Sequence, residues 1–123
     1  MLRTVMLLLL TLGLAPNIAS AAESYPQRPI RLIVPVPPGG AADFTARIVG
    51  AKLTESLGQN FVVENRGGAA GTIASDLIAQ STPDGYTLLF SSSTTHGIAP
   101  LLYKNLPYHA MKSFTHIALI NTI

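Results

Sequence analysis

The residues able to do chemistry fall in three stretches rich in glycine, alanine or hydroxyls. The first is Pro35-Val36-Pro37-Pro38-Gly39-Gly40-Ala41-Ala42-Asp43. Pro37 and Pro38 fix φ and carry no amide hydrogen, so they stiffen the chain. Gly39 and Gly40 follow, and their N–H groups have no Cβ to hold a ligand away. A helix beginning just after them would aim its unpaired amides and the positive end of its dipole at the same place, which suits a carboxylate or phosphate. Asp43 reads as a helix cap or a tie to a neighbouring loop rather than an anion contact. As a bare pattern the stretch is equally a tight strand-to-helix turn with no ligand, so the other two stretches have to decide.

The second is Gly67-Gly68-Ala69-Ala70-Gly71. It lacks the Gly-x-Gly-x-x-Gly spacing of a dinucleotide fingerprint, and no Gly-Lys-Ser/Thr Walker loop occurs, so nucleotide binding has no support. The third is Ser91-Ser92-Ser93-Thr94-Thr95-His96-Gly97. Its hydroxyls could donate to carboxylate oxygens without adding charge, or simply satisfy their own backbone. His96 has the chemistry of a general base, but no Gly-x-Ser-x-Gly elbow surrounds it and no acid is obviously paired with it. His109 and His116 lack metal-ligand spacing from it and read as structural. Tyr103 and Tyr108 read as packing residues.

The elements that must position these stretches are legible in the apolar pattern. Arg31-Leu32-Ile33-Val34 is a short β-branched run stopped by proline, a buried strand. Before it, Tyr25-Pro26-Gln27-Arg28-Pro29 reads as an extended leader. Residues 42–57 predict a helix with Ala46, Val49, Leu53 and Leu57 on its buried stripe, and Gly58 ends it. Phe44 and Ile48 fall on another side, suggesting either a second contact or a position near a cleft. Residues 60–64 predict a second strand and 72–80 a second helix with Ala74, Leu77 and Ile78 toward the core. Pro83-Asp84-Gly85 is a turn in which proline sets φ and glycine takes a positive one. Residues 86–90 predict a third strand, 98–103 and 111–114 short helical turns, and 116–120 a fourth strand. Alternating strands and helices call for a parallel sheet. In such a sheet the strand C-terminal ends share one rim, where ligands bind, and three of those ends carry the three stretches.

The bulk of the chain excludes several functions. Among 123 residues there are eight Lys+Arg and six Asp+Glu, scattered and without interleaved aromatics, which gives nucleic acid no footprint. With no cysteine, disulfides, a thiolate nucleophile, a Cys-ligated zinc site and a thioether-lipid anchor are all excluded. At the N-terminus, Arg3, the apolar run Val5 to Ala15 and the small-x-small Ala19-Ser20-Ala21 spell a secretory signal peptide. The run is shorter than the ~20 residues that span a bilayer. Cleavage is expected after Ala21, or else after Ala22, leaving a domain of residues 22–123 held by its apolar core alone.

Four blocks then point to a family. Ile30-Arg31-Leu32-Ile33-Val34-Pro35-Val36-Pro37-Pro38-Gly39-Gly40, Val62-Val63-Glu64-Asn65-Arg66, Pro83-Asp84-Gly85-Tyr86-Thr87-Leu88-Leu89 and Leu102-Tyr103-Lys104-Asn105-Leu106-Pro107-Tyr108 occur in this order and spacing. Everything after the signal peptide resembles the Bug-type extracytoplasmic receptors of tripartite tricarboxylate transporters. That resemblance implies a type II periplasmic-binding-protein (Venus flytrap) fold, in which two α/β lobes close on a small carboxylated metabolite. It implies no enzyme activity, no cofactor and no metal, a monomeric periplasmic protein, and delivery of the ligand to membrane permease subunits. It places ligand contacts on Pro38, Gly39, Gly40, Ala41 and Asp43, on Ala69, Ala70 and Gly71, and on Ser92, Ser93, Thr94, Thr95 and His96. The family often has Phe where this chain has Val36, Gly-Thr where it has Ala41-Ala42, and Asn where it has Ala99. The lost threonine hydroxyl bears on the ligand class more than on the fold. Because family members are far longer, residues 22–123 are expected to be an incomplete N-terminal lobe, with the second lobe missing. The alternatives from the residues alone are an exported hydrolase built on His96 and a nearby serine, and a non-functional remnant.

Overall fold

The computed structural model describes residues 24–120, so the expected signal peptide lies outside the described residues. Three strands form one parallel sheet. They are β1 (Ile30–Val34), β2 (Phe61–Asn65) and β3 (Thr87–Leu89), in the order β2-β1-β3. Ile30 to Val34 lie opposite Phe61 to Asn65, and Arg31 to Ile33 lie opposite Thr87 to Leu89. The most apolar strand therefore takes the centre, where both its edges are paired and its side chains are covered. Ile30, Leu32, Ile33 and Val34 are all buried.

Helix α1 (Ala41–Leu57) follows β1, α2 (Thr72–Ala79) follows β2, and the short α3 (Ala99–Leu102) follows β3. Leu32 and Val34, two residues apart and so on one face of the sheet, join Ala46 of α1 in a core cluster. Val36, Val63, Leu88 and Phe90 pack around it. On α1 the stripe holds at Ala46, Val49 and Leu53, but Leu57 is exposed. The buried line runs instead through Asp43, Ala46 and Gly50. A Cβ on Gly50 would sit 3.5 Å from Phe61 Cβ and Val63 Cγ2, in ordinary van der Waals contact, so helix and sheet pack here with room for a methyl group. Phe44 and Ile48 are exposed, and no second packing surface meets them among the described residues.

Gly58 ends α1 as expected, at φ 70° with its N–H donating to Thr54 O. Thr54 Oγ1 then accepts the Phe61 amide at 3.0 Å, which sets the entry into β2. The leader is pinned to the turn before β3. Tyr25 Oη donates to Gly85 O at 2.7 Å, Arg28 pairs with Asp84 at 2.9 Å, and the Arg28 guanidinium lies over the Tyr86 ring. Gly85 takes the positive φ (81°) that the turn reading required.

The C-terminal region departs from expectation. Residues 116–120 form no strand. A strand exists only through a ladder to a neighbour, and the described sheet ends at β3. Ile117 and Leu119 are left 76% and 79% exposed. The expected turn at 111–114 is one hydrogen-bonded turn begun earlier, with the Lys112 and Ser113 amides donating to His109 O. Tyr108 is buried and packs edge-on against Phe114, whereas Tyr103 is exposed.

Candidate functional site

Because the strands are parallel, the loops leaving β1, β2 and β3 open on one rim. Loop one runs from Pro35 to Gly40. Gly40 is the N-cap of α1 and has no side chain to cap it, so the first amides of the helix have no intrahelical carbonyl to bond. Gly39 takes φ 92° and its N–H donates to Asp43 Oδ2 at 2.9 Å. The other oxygen, Oδ1, accepts from Asn65 Nδ2 at 3.0 Å and pairs with Arg47 at 3.0 Å. Asn65 Nδ2 also donates to Val36 O, and Arg47 donates to Asn65 Oδ1. Asp43 is thus a tie between loop one and the end of β2, as its residue type suggested. The Gly39 amide, then Arg47 and Asn65, hold its carboxyl down from 3.8 to about 2. The same amide is occupied within the fold rather than free.

Loop two has the unusual backbone. Gly68, Ala69, Ala70 and Gly71 take φ of 126°, 46°, 54° and 84° in succession. Residues 69–71 form a tight turn, and Gly71 N donates to Gly68 O at 2.8 Å. For an alanine, the left-handed region costs roughly 1–2 kcal/mol. Two such residues in a row persist only where their surroundings fix them, a condition met most often at ligand clamps and switches.

Those surroundings are the other two loops. A Cβ on Gly67 would lie 3.1 Å from Pro37 Cδ and 3.2 Å from Pro37 N. One on Gly71 would lie 2.8 Å from Thr95 Oγ1 and 3.0 Å from Pro35 Cβ. Gly71 is therefore the point where loops one, two and three touch. Behind it, buried Ser75 donates from Oγ to Gly71 O at 3.1 Å, fastening the turn to α2.

Loop three is a turn of π-helical type over Thr94–Ile98 that runs on into α3. Thr95, 2% exposed, faces Gly71. Ser92 O accepts the amides of Thr95 and His96, and Ser92 Oγ lies 3.3 Å from Thr95 Oγ1. Ser91 Oγ is in hydrogen-bond contact with His96 Nδ1. Part of the hydroxyl set thus satisfies the loop itself, while Ser92, Ser93 and Thr94 stay exposed on the rim. His96 is half-buried. Burial, and after it the neighbouring His116, lower its pKa below the usual 6.5. The sequence pattern indicated the loops but not the Asp43–Asn65–Arg47 network. Asn65 and Arg47 come from separate elements, and only the chain turn that brings β2 beside β1 unites them.

The three candidate groups accordingly stand as follows. Pro38, Gly39, Gly40, Ala41 and Asp43 line the β1 end, Ala69, Ala70 and Gly71 the β2 end, and Ser92 to His96 the β3 end. Loops one and two approach each other at Pro37 and Gly67, and all three loops approach at Gly71, beside Pro35 and Thr95. Gly39 and Gly40 face open space, with nothing within 4 Å of where a Cβ would be.

Comparison with known proteins gives this rim a context. Residues 45–123 match the family model described as tripartite tricarboxylate transporter family receptor. Protein BugT of Bordetella pertussis is 42% identical over 118 residues, covering 92% of this chain and 34% of that protein. MatC from Rhodopseudomonas palustris, solved with bound malate, superposes with a TM-score of 0.71 at 40% identity, over 74% of this chain and 31% of MatC. An R. palustris protein solved with adipate gives 0.68 at 37% identity, over 70% and 29%. The chain spans about a third of the length of the curated relatives it matches, and its parallel-sheet α/β unit corresponds to part of a periplasmic solute-binding fold. With the matched model covering well over half of the residues and the sheet and rim in their expected places, the chain belongs to the Bug-type receptor family of the tripartite tricarboxylate transporters.

Proposed function

We propose that residues 22–123 supply one wall of a periplasmic receptor site for a small carboxylate, which is passed to membrane permease subunits. The observation that carries this reading is the meeting of three strand-end loops at Gly71, on the same rim as the exposed hydroxyls of Ser92 to Thr94 and the uncapped N-terminus of α1. Relatives solved with malate and with adipate support a carboxylate as the ligand class. The mechanism is donation from backbone N–H groups of loops one and two and from Ser93 and Thr94 to the carboxylate, followed by closure of a second lobe. The receptor works as a monomer, after an export leader ending at Ala21 is removed. One wall gives few contacts and no closure, so isothermal calorimetry of the 123-residue chain with malate or adipate should show weak or unmeasurable binding. Micromolar affinity would contradict the one-wall reading.

A second reading rests on the Ser91–His96 contact, which is the first half of a nucleophile–base pair. Among the described residues no carboxylate forms an ion pair with His96 to orient it, which favours the receptor. Turnover of an activated ester, abolished by His96→Ala, would reverse that preference.

A further inference from the structure

Two imidazoles from separate parts of the sequence come together beside loop three. The rings of His96, in the π-helical turn, and His116 lie 6.1 Å apart between centroids, with their planes at 76°. The pairing is tertiary. Phe114 meets the His96 ring edge-on at 4.9 Å and buried Tyr108 at 5.7 Å, which brings the later segment back onto loop three. Neither imidazole forms an ion pair with a carboxylate among the described residues.

His96 is oriented from two sides. Phe114 packs against its ring, and its Nδ1 is in hydrogen-bond contact with Ser91 Oγ. That is the arrangement of a ligating histidine, in which one ring nitrogen donates to an oxygen and the other offers its lone pair to a metal. Ser91 Oγ can accept from Nδ1 while its own hydrogen goes to Ser92 O, 3.5 Å away. Nε2 of His96 is then the nitrogen with the lone pair. His116 is exposed, so its ring can turn a nitrogen toward the same point without disturbing the core.

We propose that His96 and His116 form a two-histidine site for a divalent transition-metal ion such as zinc. Imidazole suits zinc, copper and nickel, whereas magnesium and calcium require oxygen ligands. Two imidazoles each about 2.0–2.1 Å from one zinc ion leave their ring centroids roughly 5–6.5 Å apart, and the separation of this pair falls within that range. Among the described residues no group of three His, Cys, Asp or Glu side chains comes together. Water therefore completes the coordination, and the site is weaker and more exchangeable than a closed four-ligand one. His109 stays outside it, because its Nδ1 already accepts the Met111 and Lys112 amides. The site stands whether or not the rim takes a carboxylate.

The test is a zinc titration of the full 123-residue chain at pH 7.5, followed through the imidazole C–H signals by NMR. The His96 and His116 signals should move together with one midpoint, at one zinc per chain, while those of His109 stay in place. In His116→Gln, a change at an exposed position, the midpoint for His96 should rise at least tenfold. Separate midpoints for the two rings, a rise of less than tenfold in His116→Gln, or no movement of either ring up to about 1 mM zinc, would overturn the site.

Discussion

The rim at loops one and two and the segment after α3 are built on opposite principles. The rim spends its few polar groups on internal ties. Asp43 is bonded through both oxygens, Asn65 spans loop one and β2, and Gly71 is wedged between Pro35 and Thr95. The segment from Tyr103 onward holds large apolar residues in the open, with Met111, Ile117 and Leu119 all exposed, and is fastened mainly by rings. The difference teaches where sequence constraint should lie. A change in the rim breaks geometry that several elements share, whereas a change at the exposed positions of the later segment meets little that resists it.

The sharpest way to break that contrast is Gly71→Ala. The new Cβ would press on Thr95 Oγ1 at 2.8 Å and on Pro35 Cβ, at a φ of 84°. Left-handed strain and overpacking together should cost about 2–4 kcal/mol, read by urea denaturation. A loss under about 1 kcal/mol, the range of ordinary surface changes, would mean the three loops do not clasp one another. The acid limb of stability comes next. Asp43 has its pKa lowered on folding, so its contribution is present above 3.8 and is lost as pH falls toward 2;. Asp43→Asn should flatten that limb of the denaturation midpoint against pH, and an unchanged limb would place the acid sensitivity elsewhere. Within α1, Gly50→Ala meets only ordinary contacts at 3.5 to 3.8 Å and should stabilise by up to about 1 kcal/mol through helix propensity. The smallest effect is expected for Leu119→Ser. It should move stability by less than about 0.5 kcal/mol while slowing aggregation seen by light scattering, because it removes a side chain from an exposed apolar segment.

Much of this could be read before the structure. The central strand, the first helix with its Gly58 end, the Pro83–Gly85 turn and the placement of three loops at strand ends followed from apolar period and turn chemistry. Residues 116–120 did not follow. An apolar run such as Ile117 to Ile120 has strand propensity, but propensity cannot supply the neighbouring backbone that a ladder needs. The left-handed Ala69 and Ala70 were also out of reach, since alanine gives no local sign of a positive φ and only Pro35, Thr95 and Ile73 around the turn hold it there. His109 and His116 looked merely structural because their spacing fits no metal. His109 bears that reading out in its own turn, where Nδ1 accepts the Met111 and Lys112 amides.

The central claim is that the three loops face one anion-binding rim. Its most direct test is an NMR titration of the isotope-labelled chain with malate, which detects weak binding. The account predicts concerted amide shifts at Gly40 to Ala42, Gly68 to Gly71 and Ser93 to Thr95, with β2 and the C-terminal half of α1 unmoved. Saturating shifts confined to any other surface, or none at these residues up to tens of millimolar ligand, where a site of only about 4 kcal/mol would be filled, would contradict it.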